Sequence, residues 1–168
     1  MDEIRQKIRE FLTDVPKEFE TRGNGAWTTE IKNEFVRLGH SKRYTVCANR
    51  CQADDHEWLY DLMWLETETV AGNDLVRGAV LAMEIEWGGW EDILYDFEKL
   101  LVANTKYKVM IFQEYQEDNV KTVADKLIER IQRFTNPIPQ ERYLFIAYDR
   151  QAHRFSLRNF PEAQAEML

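Results

Sequence analysis

Three acidic residues stand where apolar ones are expected. Asp61 interrupts the run Trp58-Leu-Tyr-Asp-Leu-Met-Trp64, and Glu84 and Glu86 interrupt Val80-Leu-Ala-Met-Glu-Ile-Glu-Trp87. Residues two apart in a strand share a face, so Glu84 and Glu86 point the same way. If the two runs are neighbouring strands, Asp61 reaches the same spot. Burying a carboxylate without a partner is costly, and clustered carboxylates raise each other's pKa unless a cation sits between them. An all-oxygen site suits a hard divalent ion, Mg²⁺ or Mn²⁺. Asp92, Asp96 and Lys99 follow at spacings of four and three, one face of a helix, so Lys99 can reach back over the strand end. A lysine beside a metal site orients a water or stabilises charge on a phosphate. The plainer alternative is a set of strand-end carboxylates in water or paired with Lys and Arg, with Lys99 solvated and paired to Asp96.

The surrounding periodicity gives the elements that must position these residues. Ile4, Ile8, Phe11, Leu12 and Val15 recur at helical spacing, which predicts an amphipathic helix over 2–20 closing near Pro16. A second helix is expected over 29–39, capped by Thr28 or Thr29 and stopped at Gly39. Strands are expected over 43–50, 57–66 and 76–87, with a turn at 70–74, as an antiparallel meander. A helix over 90–103 follows, then an apolar strand over 107–113 of the kind buried on both faces. A helix begins at a cap on Asn119 and runs to about 134. A last strand covers 141–149, with 153–157 as a pairing candidate, and the tail 161–168 reads as loose. The order predicts a mixed sheet with helices packed on it, in one domain spanning 1–168.

Composition narrows the classes. The chain has 168 residues, 44% hydrophobic and 12% aromatic, which is globular rather than disordered. The longest apolar run is 143–148, far short of the ~20 residues a membrane helix needs, so no membrane partner is expected. Met1-Asp-Glu-Ile-Arg lacks the features of a secretory signal, and two cysteines, Cys47 and Cys51, build no disulfide framework; a cytoplasmic location is the expectation. The net charge is −8, concentrated between Asp54 and Glu98, where 13 acids meet one base. That balance argues against non-specific coating of DNA, yet leaves room for a local groove. Lys42, Arg43 and Arg50 form the one basic cluster near the expected sheet, either a contact to a nucleic-acid backbone or ordinary surface charge.

The element order and these acids resemble the PD-(D/E)xK nuclease superfamily. The resemblance covers about 27–115 and implies a restriction-endonuclease-like αβββαβ core. The sheet would be mixed and flanked by helices, with an extra N-terminal helix over 2–20 and a C-terminal helix and strands over 119–160. It implies that Asp61, Glu84 and the carbonyl of Ile85 hold Mg²⁺ or Mn²⁺ for phosphodiester hydrolysis. The family's lysine two residues after the second acid is Glu86 here, a departure. Either Glu86 or a migrated Lys99 would position the water, and Glu30 on the preceding helix would supply a further acid. The implied partner is nucleic acid, DNA ahead of RNA, acted on by a homodimer or within a larger complex. Two alternatives remain: a catalytically inactive nuclease-fold protein serving as an interaction module or complex subunit, and an unrelated hydrolase of small phosphoesters.

Overall fold

A computed structural model describes residues 1–14, 23–114, 122–150 and 153–161. Its frame is one six-stranded sheet in the order β1 (Thr45–Ala48), β2 (Leu62–Val70), β3 (Asn73–Glu86), β4 (Thr105–Glu114), β5 (Arg142–Asp149), β6 (Arg154–Phe160). The pairs β1–β2, β2–β3 and β5–β6 are antiparallel, and β3–β4 and β4–β5 are parallel. The protein is thus α/β, with a mixed sheet flanked by helices.

Alternation along the central strands assigns each helix its face. Leu81, Met83, Ile85, Val109, Ile111, Leu144 and Ile146 face α1 (Asp2–Asp14) and α2 (Asn24–Ser41), which bury Ile4, Ile8, Ile31 and Phe35 against them. The intervening residues Ala82, Met110, Phe112, Tyr143 and Phe145 face α3 (Trp90–Val102) and α4 (Val123–Arg133), which bury Phe97, Leu100, Leu127 and Ile128. Strands apolar on both sides must carry helices on both sides, because each buried Leu, Ile or Phe contributes ~2 kcal/mol only when covered.

Several boundaries differ from expectation. α2 begins at Asn24, and the Thr28 and Thr29 hydroxyls bond back to the Asn24 and Gly25 carbonyls rather than capping. The N-cap is Gly23 at φ 79°, a backbone conformation that costs glycine little. The expected strand over 57–66 starts only at Leu62; residues 57–61 form a loop that leaves Trp58 and Leu59 exposed. β1 is short because Arg43 and Arg50, on either side, adopt positive φ. Beyond the other strands the β2–β3 hairpin continues as an exposed two-stranded arm over 66–77, turning at Ala71 and Gly72 as expected. α4 is capped by Thr122, whose hydroxyl accepts from Asp125 N while the Asp125 carboxylate accepts from Thr122 N. The expected cap Asn119 lies outside the described residues, as do 15–22 of the first helix and 162–168 of the tail. No described helix is long and apolar enough to cross a membrane.

Candidate functional site

The β2–β3 register, with Leu62 opposite Met83, sets Asp61 directly across from Glu84. Asp61 is not inside the strand as expected; it is the last loop residue before β2. Ile85 N–H donates to Asp61 Oδ2 at 2.9 Å, and Asp61 N–H lies 3.4 Å from Glu84 Oε2. Glu84 is 2% exposed. Lys99, three turns along α3, reaches back to place Nζ 2.6 Å from Glu84 Oε1 and 3.1 Å from Asp96 Oδ1. The contact joins a buried carboxylate to a half-buried ammonium.

Burial is the largest influence on Glu84 and pushes its carboxyl up to about 8; Lys99 pulls it down, and the charges of Asp61 and Asp96 push it up further. Burial works against the Lys99 charge, but the two carboxylates holding its ammonium win, and its pKa lies above the usual lysine value. Tyr60 packs beside this pair, its hydroxyl 3.4 Å from the Lys99 carbonyl, and burial and the Glu84 charge raise its pKa.

Glu86 shares the Glu84 face but turns to a different task. Its Oε1 accepts from Gly88 N–H in the turn before α3. Burial raises its pKa, the Gly88 N–H lowers it, and Asp96 and Asp92 raise it. A Cβ at Gly88 would stand 2.6 Å from Asp92 Oδ2 and 2.8 Å from Glu86 Oε1, so both carboxylates would have to shift. Glu30 is in α2 and half-buried, and among the described residues no hydrogen bond or ion pair joins it to the cluster. The residue that α2 does contribute is Lys32, two positions on and therefore on the other side of the helix.

Lys32 was missed by the sequence reading. It is 4% exposed, and its Nζ lies 2.8 Å from Asp61 Oδ1 and 3.5 Å from Glu57 Oε2. Its signal was a lysine within the α2 stripe that also carries Ile31, Phe35 and Val36: a buried lysine demands an acid, as Asp61 in its apolar run demanded a base. The result is a continuous row across the ends of β2, β3 and α3, in which Lys32 meets Asp61, Asp61 adjoins Glu84, Glu84 meets Lys99, and Lys99 meets Asp96. With Glu57 and Glu86 included, five carboxylates lie around two ammonium groups.

The other candidate residues lie elsewhere. Lys42 and Arg43 precede β1 and Arg50 follows it, so β1 separates them, and only Arg50 is at the Ala48–Leu62 end where the cluster lies. Lys42 is paired with Glu3 at 2.6 Å. Cys47 and Cys51 are free thiols with pKa raised by burial. A second buried ion pair, Lys108 with Glu141 at 2.6 Å, sits near the start of β4 and β5, with Lys108 also donating to the Leu101 carbonyl and Tyr143 hydroxyl. It is fully satisfied and sealed, and anchors the end of α3 to the sheet.

Among the described residues, no group of three or more His, Cys, Asp and Glu side chains is arranged to hold a metal ion. The donors available to a cation are two carboxylates, Asp61 and Glu84, and the Ile85 carbonyl. They suit a hard ion in chemistry, and a cation there would take the place of the Lys99 contact to Glu84 Oε1 at 2.6 Å and the Lys32 contact to Asp61 Oδ1 at 2.8 Å. No protein-family model, curated protein or solved structure matches this chain.

Proposed function

We propose that this protein is a metal-dependent phosphodiesterase of the nuclease type, with nucleic acid as substrate, DNA ahead of RNA. The observation that carries the reading is the pairing of Asp61 with a buried Glu84 across two strands, with Lys99 against the same carboxylate. The antiparallel β1–β3 meander followed by α3 and a parallel β4 supports a restriction-endonuclease-like core. Asp61, Glu84 and the Ile85 carbonyl would hold Mg²⁺ or Mn²⁺, which when bound supplies a more acidic water and neutralises charge on a phosphoryl oxygen. Lys32 keeps Asp61 aimed toward β3. Lys99 is the group that orients a water or contacts the phosphate, because Glu86 is engaged by the Gly88 N–H and Asp96. Tyr60 and the strand end limit solvent at Glu84.

A specific observation favours a second reading. Lys32 and Lys99 already neutralise Asp61 and Glu84, and Trp58 and Leu59 beside them are about 60% exposed, which suits an interaction module without catalysis. Incubation with single- and double-stranded DNA and RNA, in Mg²⁺ and in Mn²⁺, separates the two. The hydrolase reading predicts cleavage of at least one substrate, lost in Asp61→Asn and Lys99→Ala variants with unchanged circular dichroism. Intact substrates throughout leave the interaction module.

A further inference from the structure

On the opposite face of the sheet from Glu84, but at the same C-terminal end of β3, β4 and β5, lies an open pocket of about 150 Å³. That end of a parallel sheet is where ligands of open α/β proteins bind. Trp27, Trp87, Tyr148 and Phe155 build one wall. Three of the rings stand against one another, Trp27 at 5.9 Å from Tyr148 and 5.4 Å from Phe155, and Tyr148 at 4.9 Å from Phe155. All four are half-buried, so the wall is apolar yet open.

The remaining lining is polar: Gly23 and Asn24 at the start of α2, Gln113, Arg150 and His153. Gln113 reaches the pocket from β4; it is 2% exposed, and its amide Nε2 has no hydrogen-bond partner among the described residues. A buried donor left unpaired costs about 1–3 kcal/mol, so such a group marks a missing acceptor. The 18-residue helix α2 begins at the pocket, and Gly23, its N-cap, has no side chain with which to bond the first-turn N–H groups. Those groups carry the positive end of the helix dipole. The exposed Arg150 guanidinium completes the lining after β5. An unpartnered buried amide, an uncapped helix start and a guanidinium all ask for an oxyanion, and aromatic rings beside it ask for a flat heterocycle.

We propose that this pocket binds a nucleoside phosphate unit, with the phosphate on Gln113, Arg150 and the start of α2, and the base on the aromatic wall. The inference deepens the hydrolase reading by naming a subsite for the substrate, and rests on that reading for its place in the reaction. α2 ties the two places together: Thr28 accepts from the Trp87 indole at 2.9 Å, and Lys32, one turn on, holds Asp61. A nucleotide seated in the pocket would therefore fix the helix that aims a carboxylate of the cluster.

The test reads binding alone. Wild-type protein in excess chelator is titrated with inorganic phosphate, a nucleoside 5′-monophosphate and a short single-stranded oligonucleotide, followed by calorimetry and by the indole N–H signals of Trp27 and Trp87. The expected result is saturable nucleotide binding at least tenfold tighter than phosphate, with both indole signals shifted. Gln113→Leu and the exposed Arg150→Ala should each weaken it about tenfold; Arg150→Ala removes no buried group, so it reports even if the first variant folds poorly. A tighter oligonucleotide assigns the pocket to a unit of a strand, and equal affinity assigns it to a free nucleotide; both support the proposal. No binding, equal affinity for phosphate and nucleotide, or indifference to Arg150→Ala overturns it. Nucleotide binding in a protein that cleaves nothing keeps this inference and removes only the hydrolase.

Discussion

Glu84 makes the metal-free protein's stability depend on pH in a calculable direction. Its carboxyl is harder to ionise in the folded chain, with a pKa of about 8 against the ordinary 4.5. Folding therefore takes up a proton between those values. Its contribution is fully present below pH 4.5 and is lost as pH rises through 8, at up to about 1.4 kcal/mol per pH unit. The upper limit of the loss is about 3 kcal/mol at pH 7 and about 5 kcal/mol above pH 8. Glu84→Gln keeps the shape and removes the charge, so its curve should be flatter and the variant should be the more stable protein at pH 9. Urea unfolding in chelator at pH 5, 7 and 9, for wild type and variant, gives the four differences needed. Glu86, raised by burial as well, shifts both proteins alike. A wild type equally stable at pH 5 and 9, or a variant weaker than wild type at pH 9, would refute the burial assigned to Glu84.

Three further outcomes follow from the packing. Lys32→Met should destabilise by about 2–4 kcal/mol, because it leaves Asp61 facing a buried site without its cation, and adding Asp61→Asn should recover part of the loss in a double-mutant cycle. Gly39→Ala should cost about 1–3 kcal/mol and lower Tm, since a Cβ there would stand 2.6 Å from Val46 Cγ2 and 2.8 Å from the Trp64 indole nitrogen. Glu141→Gln should cost about 3–5 kcal/mol by stranding the Lys108 charge, and should leave any metal titration unchanged because that pair lies at the other end of the sheet.

The sequence made the cluster legible where a residue contradicted its surroundings. Asp61, Glu84 and Glu86 each broke an apolar run, and the i,i+3 spacing of Asp96 and Lys99 predicted a contact that is present at 3.1 Å. The α/β class and the helices on both faces followed from the buried strands β4 and β5. Lys32 escaped because a lone lysine on a helix reads as solvated until the opposing acid is placed. Lys108 escaped for the same reason, its partner Glu141 lying outside the expected contact range in sequence. The start of β2 was misjudged because Trp58 and Leu59 look like strand residues, although they are exposed in a loop. Thr28 and Thr29 look like caps, but hydroxyls inside a helix can satisfy carbonyls one turn back. The aromatic pocket had no linear signal: its residues come from α2 and its N-cap, the ends of β3, β4 and β5, the start of β6 and the residues beside it, and only the fold gathers them.

The proposed chemistry rests on a cation held by Asp61 and Glu84. Calorimetric titration of Mn²⁺ into wild type and Glu84→Gln at pH 7 tests it most directly, with circular dichroism to show that both are folded. Saturable binding to wild type, lost in the variant, is expected, with protons released because a carboxyl with a pKa of about 8 must ionise to accept the metal. A flat wild-type titration, or one identical in the variant, would contradict it.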